Sequence, residues 1–150
     1  MNIPADKKSR RGTRARSVAR KLAMQALYQW QMTSHEANDI AKQFIESEEF
    51  GGADREYFEA LLRGCIKQKD AINAAIAPFI DRPLDQLDPV ETAILMLGMF
   101  ELQSRIDVPY RVVINEAVDL AKRFGATDAH KYVNAVLDRA AKELRAAERG

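Results

Sequence analysis

Eight basic side chains crowd the first 32 residues: Lys7, Lys8, Arg10, Arg11, Arg14, Arg16, Arg20 and Lys21, against one acid, Asp6. The chemistry open to such a block is recognition of a polyanion. A guanidinium presents a planar fork of donors that matches phosphate, and each phosphate neutralised releases condensed counterions. At about 100° per residue, Arg14, Ser17, Lys21, Gln25 and Tyr28 form one stripe of a helix, with Arg16 and Arg20 one turn apart on the opposite flank. Gln25 adds an amide able to read a base edge, and Tyr28 a ring on which an unpaired base can stack. That combination points to single-stranded RNA. The plainer alternative is a solubilising basic terminus, which needs neither the amide nor the ring.

Other chemistries find little support. His35 and His130 have no partner at catalytic or metal-ligand spacing. The single cysteine, Cys65, excludes an intramolecular disulfide and a multi-cysteine zinc site, and its place in an apolar stripe marks it as core. No nucleotide-binding glycine loop, paired-carboxylate motif or nucleophile elbow is present. The expectation is therefore a protein that is not an enzyme and uses neither cofactor nor metal. The basic N-terminus has no apolar stretch behind it, and the longest apolar run, Ala93 to Phe100, is far short of the roughly 20 residues that span a bilayer. A cytoplasmic protein with no membrane partner is expected.

The 150 residues suit one domain with a substantial core. Sparse glycine and proline favour helix, and no β-alternation competes. Net charge is +1, but it is unevenly spread: residues 33–60 carry eight acids and two bases, opposite in sign to the N-terminal block. Residues 1–12 read as a flexible basic arm, and 13–150 as a single all-helical domain with sub-bundles of about 13–82 and 83–150. A first helix begins near Thr13, buries Ala15, Val18, Ala19, Leu22 and Ala26, and ends near Met32. Thr33-Ser34 would cap a second, carrying Ala37, Ile40, Ala41, Phe44 and Ile45. A third runs from near Asp54 to Ile80, its stripe marked by Phe58, Leu61, Leu62, Cys65, Ile72, Ile76 and Phe79. Asp81-Arg82-Pro83 breaks it.

Asp88-Pro89-Val90-Glu91 has the form of a capping box, and the helix behind it is apolar nearly all round, as at the buried centre of a bundle. Gly98 would let a neighbouring helix approach closely. A further helix from about Pro109 carries Val113, Ala117, Leu120, Ala121 and Phe124 and stops at Gly125. Thr127 or Asp128 caps the last, with Val133, Val136, Leu137, Ala140 and Leu144 inward.

Four stretches carry a resemblance. Val108–Gly125 (VPYRVVINEAVDLAKRFG) and His130–Asp138 (HKYVNAVLD) resemble the two most recognisable blocks of the bacterial NusB family. Ala23–Gln31 (AMQALYQWQ) and Glu91–Leu102 also follow its pattern, so the likeness covers nearly the whole chain from Arg14 onward. The N-terminus, longer than the family pattern, is the main departure. The resemblance implies an all-α NusB-like fold of about seven helices in two packed three-helix bundles. It also implies a transcription antitermination factor. Family members bind the boxA element of ribosomal-operon RNA as a heterodimer with the ribosomal protein NusE and help assemble an antitermination complex on RNA polymerase.

Carried onto this chain, the family's arginine-rich motif falls on Arg16–Arg20, less dense here than in some relatives, with Arg10, Arg11 and Arg14 upstream and Gln25 and Tyr28 following. The family's RNA surface reaches the start of the last helix, at Phe124, Asp128 and Tyr132, with Glu91 on a helix nearby. For Phe124 and Tyr132 core packing competes with stacking, for Asp128 capping competes with contact, and Asn115 and Glu116 read first as packing or solvent-facing groups. Two other readings stay open: a helical RNA-targeting module of an rRNA methyltransferase, which needs a methyl-donor domain beyond these residues, and a DNA-binding helical protein. A homodimer masking the RNA surface is left undecided, as are the individual residues that hold NusE, for which the region around Arg82 to Tyr110 is the expected place.

Overall fold

Apolar residues spaced by three and four build every regular element among the described residues as a helix. The structure is a computed structural model that describes the backbone of residues 5–149 and the side chains of residues 12–148. The helices are α1 (Ala5–Met32), α2 (Ala37–Ile45), α3 (Arg55–Lys67), α4 (Lys69–Ile76), α5 (Pro89–Ser104), α6 (Tyr110–Phe124), α7 (Ala129–Leu144) and a last turn, α8 (Ala146–Arg149). Short 3-10 turns lie at Glu48–Phe50, Ala77–Phe79 and Leu84–Gln86. The chain divides into two compact units, one up to Arg63 and one from Gly64 on. Pro83, where the sequence reading places the break, falls inside the second unit.

Several boundaries differ from the sequence reading. The backbone is helical from Ala5, within the segment read as a flexible arm. A glycine inside a helix costs about 1 kcal/mol relative to alanine, and the good helix formers around Gly12 carry the helix across it. The run from Asp54 to Ile80 is split at Gln68, whose φ of −102° and ψ of 20° leave the helical basin. The i to i−4 ladder survives there, Gln68 N–H donating to Gly64 O and Ile72 N–H to Gln68 O, so the split is a local unwinding.

In the first unit, α1 buries Ala19, Leu22, Ala23, Ala26 and Leu27, and α2 buries Ile40 and Ala41. Phe58 of α3 is fully buried, with Phe50 edge-on at 5.2 Å and Phe44 tilted at 6.2 Å. Asp54 caps α3 by accepting from Tyr57 N–H at 3.0 Å, and its own N–H donates to Ala15 O at 3.0 Å, pinning the start of α3 to α1. Thr33 does not cap α2. Its hydroxyl closes the last turn of α1 by donating to Gln29 O at 2.8 Å, and α2 begins after Glu36 without a side-chain cap.

In the second unit, α5 is buried continuously from Thr92 to Leu102. Asp88 Oδ1 accepts from Val90 N–H at 2.8 Å, so Asp88 caps the helix as read, but through the helix's second position and not through the Glu91 exchange of a full capping box. Gly98 faces Leu137 of α7 so closely that a Cβ there would lie 2.7 Å from a Leu137 methyl, and a Cβ on Gly64 would overlap the Phe100 ring. The close approach read at Gly98 is thus present. Leu144, read as inward, is half-exposed near the end of α7.

The C-terminal end of α5 is closed by a residue far along the chain. Arg145 is 2% exposed. It donates to Leu102 O (2.9 Å), Val108 O (2.9 Å), Glu101 O (3.1 Å), Arg105 O (3.0 Å) and Glu148 Oε2 (2.6 Å), using all five guanidinium protons. Glu148 Oε1 also accepts from Tyr110 N–H at 2.8 Å, serving the first turn of α6. That backbone bond and then Arg145 hold the Glu148 carboxyl below the ordinary carboxylate range.

Arg145→Met should lower stability by about 3–5 kcal/mol, because it strands buried carbonyls and an ion-pair partner. Arg145→Lys should recover only part of the loss, since an ammonium has three donors in place of five. The fall in urea midpoint at unchanged m-value measures both. A depressed folded-state pKa stabilises above the unfolded value of roughly 4.3 and ceases to do so as pH falls through the folded one. Melting temperatures between pH 7 and 3 should therefore fall less steeply for Glu148→Gln than for the unaltered chain below about pH 4.3.

Candidate nucleic-acid interface

The stripe read on the first helix is presented as its periodicity requires. Arg14 is exposed, Ser17, Lys21 and Gln25 are half-buried, and Tyr28 is 39% exposed. Leu22, Ala23, Ala26 and Leu27 fill the core from the other side of the same helix, which fixes this stripe outward. The side chains of Arg10 and Arg11 lie outside the described residues.

The opposite flank is built differently from a simple phosphate-facing row. The Arg16 guanidinium lies 4.4 Å from the centre of the Tyr57 ring, and its Nε is 3.9 Å from Asp54 Oδ2. Arg20 lies 5.2 Å from the same ring and is 3% exposed. Tyr57 is therefore a shelf for both cations, and Arg20 spends its length on packing α1 against α3. Arg16, half-buried, keeps part of its surface open.

A second group of the expected residues sits in the C-terminal unit. Tyr132, one turn into α7, is half-buried, and its hydroxyl donates to Asp81 Oδ1 at 2.9 Å. Asp81 N–H returns a longer bond of 3.4 Å to that hydroxyl. Arg82 holds the same carboxylate with Nε to Oδ1 at 3.1 Å and Nη2 to Oδ2 at 3.5 Å, while its guanidinium stands 5.5 Å from the Tyr132 ring. Arg139, two turns further along α7, donates to Phe79 O at 3.2 Å and so anchors the segment that carries Asp81 and Arg82. The Arg82 and Tyr132 hydrogen bonds hold the Asp81 carboxyl below its usual range, and burial, then Asp81, raises the Tyr132 phenol.

Glu91 stands at the third position of α5, half-buried; burial first and then Asp88 push its carboxyl upward, against the charge of Arg82. Arg82, Tyr132 and Glu91 thus share one neighbourhood. Phe124 is 37% exposed at the end of α6, with the Arg123 guanidinium 5.1 Å from its ring, so it is a surface aromatic and not part of the core. Asp128 does not cap α7 through its side chain. It adopts a left-handed conformation (φ 66°, ψ 3°) and pairs with Lys131 Nζ at 3.3 Å. That conformation is uncommon outside glycine and tolerated best by Asn and Asp.

Sequence reasoning treats Asp81-Arg82-Pro83 as a helix break, and Arg82 as the edge of a partner-binding region, and so misses the pair beside Tyr132; a fork-bearing residue next to an acid is the available signal. Cys65 is core as read: burial pushes its thiol far upward, and Sγ donates to Met96 O at 3.7 Å. Asn115 is exposed on α6, along a groove of about 260 Å³ shared with Tyr110, Arg111, Ile114, Asn134 and Asp138. Among the described residues no cluster of His, Cys, Asp and Glu is arranged to hold a metal ion.

Comparison with known proteins follows the same lines. Residues 17–142 match the model of the NusB family. The transcription antitermination protein NusB of Alcanivorax borkumensis is 52% identical over 134 residues, 89% of this chain and 89% of its own length. A solved structure of T. maritima NusB superposes with a TM-score of 0.75 at 29% identity, over 95% of this chain and 94% of that one. A chain in the crystal structure of antitermination factors NusB and NusE in complex with dsRNA does so at 0.73 and 26% identity, over 84% of this chain and 95% of that one. The all-α NusB-like architecture expected from the sequence is the one found.

The two kinds of arginine on α1 should separate experimentally. Arg20→Ala should cost about 1–2 kcal/mol of stability through lost packing, whereas Arg14→Ala, at an exposed site, should stay within about 0.5 kcal/mol. Paired urea melts decide it: equal effects would mean Arg20 is not held as described.

Proposed function

The chain belongs to the NusB family, and on that footing we propose that it is a transcription antitermination factor. In this reading it binds boxA-type RNA of ribosomal RNA operons together with the ribosomal protein NusE and supports assembly of an antitermination complex on RNA polymerase. The observation that carries the reading is the outward stripe Arg14, Lys21, Gln25 and Tyr28 on α1, in a chain of this family. The names of its relatives support it, and the solved complex of NusB and NusE with dsRNA supports an RNA ligand and that partner. The role is one of binding, with no reaction assigned, and its place is the cytoplasm. No helix of the described residues is long and apolar enough to cross a membrane.

The mechanism follows from charge and stacking. Arg14, Arg16 and Lys21, with the basic residues upstream, supply salt-sensitive attraction to the RNA backbone, while Gln25 and Tyr28 engage unpaired bases. Phe124 and Tyr132, with Glu91 and Asp128, are assigned to the same RNA from the C-terminal unit. One basic helix gives modest affinity. A protein partner that contacts the same RNA raises it by making the second contact effectively intramolecular.

A boxA RNA oligonucleotide titrated at fixed salt should bind the NusE complex more tightly than this chain alone; equal affinity contradicts the adaptor role. Removing residues 1–12 should weaken binding and flatten its salt dependence. Tyr28→Ala should weaken it by about 1–3 kcal/mol with little change in slope, because stacking releases few counterions. An unchanged affinity for Tyr28→Ala would remove the stacking assignment.

A further inference from the structure

Asp81 and Arg82 form an ion pair that folding has little need of. Their side chains are 66% and 49% exposed, and exposed pairs contribute little to stability. Yet the geometry is specific. Both Asp81 oxygens face the donor edge of the Arg82 guanidinium, at 3.1 and 3.5 Å, in the two-point arrangement that a phosphate also adopts. The Tyr132 hydroxyl donates to one of those oxygens, and the Tyr132 ring stands beneath the guanidinium. The bond from Arg139 to Phe79 O fixes the backbone just before the pair.

We propose that Arg82 is a phosphate ligand for RNA and that Asp81 occupies its fork in the RNA's absence, so that Asp81 sets the affinity of the contact made by the C-terminal unit. This rests on the RNA-binding function proposed above. On binding, a backbone phosphate takes the place of the carboxylate, which swings into solvent, and the cation stays on the Tyr132 ring. Glu91, close enough for its charge to act on Arg82, adds to the local negative potential that a phosphate must overcome. Because Arg82 is already neutralised by Asp81, engaging it releases fewer counterions than engaging an unpaired cation would.

The test is a double-mutant cycle read by titration of boxA RNA against the full chain with NusE bound, over a range of salt. Asp81→Asn removes the charge and leaves an oxygen to accept from Tyr132. It should tighten binding by about 1.5- to 5-fold, as expected for loss of one exposed pair, and steepen the salt slope by about 0.7. Both gains should vanish when Arg82→Gln is added, and Arg82→Gln alone should weaken binding. Asp85→Asn, an exposed acid on the same segment, is the control for bulk charge and should change affinity less. An Asp81→Asn gain that persists beside Arg82→Gln, or that Asp85→Asn reproduces, overturns the proposal, as does no gain. Failure of every variant and of the unaltered chain to bind RNA would instead overturn the function on which it rests, and the masking with it.

Discussion

A helix that is apolar on every side can be buried only if its ends are satisfied from elsewhere, since the last carbonyls of any α-helix have no intrahelical partner. α5 meets this constraint at both ends. Asp88 accepts at its start, and at its finish the Arg145 guanidinium reaches Glu101 O and Leu102 O from beyond the end of α7. The same side chain closes on Arg105 O and Val108 O, so the connection from α5 to α6 is tied down with the helix. Glu148 then links that charge to the first turn of α6. Through this chain of bonds α5, α6 and α7 become one rigid block, and the surface carrying Glu91, Phe124 and Tyr132 is built on it. A buried charge is costly to strand, so the arrangement stands or falls together.

The protein uses one device repeatedly within each unit: an arginine laid against an aromatic ring. Arg16 and Arg20 share Tyr57, Arg82 stands over Tyr132, Arg123 over Phe124, and Arg111 beside Tyr110. A shelved guanidinium has lost part of its rotamer freedom before any ligand arrives, which lowers the entropic cost of meeting a phosphate in a defined orientation. Burial then sorts the members. Arg20 is withdrawn into packing, while Arg16, Arg82 and Arg123 retain exposed surface. Under the proposed function, affinity for RNA is graded by how far each fork is already committed.

Local signals were legible in the sequence where they were sufficient. Ala19, Leu22 and Ala26 on the stripe of the first helix, the Asp88-Pro89 start and the small residue at Gly98 each follow from periodicity, capping chemistry or size, and each is present, while Ala15 and Val18 of the same stripe are half-buried. The resemblance of the C-terminal blocks identified the family. What escaped reading was long-range. Nothing in the sequence around Arg145 says that its partners lie some forty residues earlier, and a polar residue near a helix end reads first as solvent-facing. Thr33 and Asp128 look like caps, yet both are diverted, one to close the preceding helix and the other by a left-handed backbone. Periodicity put Arg20 on the flank opposite Arg14, but its withdrawal into packing depends on the Tyr57 ring, contributed by another helix.

The central claim is that RNA is held by the outward stripe of α1 and by the residues gathered near the start of α7. Amide chemical-shift mapping of the isotope-labelled chain, saturated with boxA RNA, tests it most directly. The largest perturbations should fall on residues 14–28, on 81–91 and on 124–132, with α2 and the connection at 105–109 little changed. Perturbations centred on α2 or on 105–109, with those three segments unmoved, would contradict it.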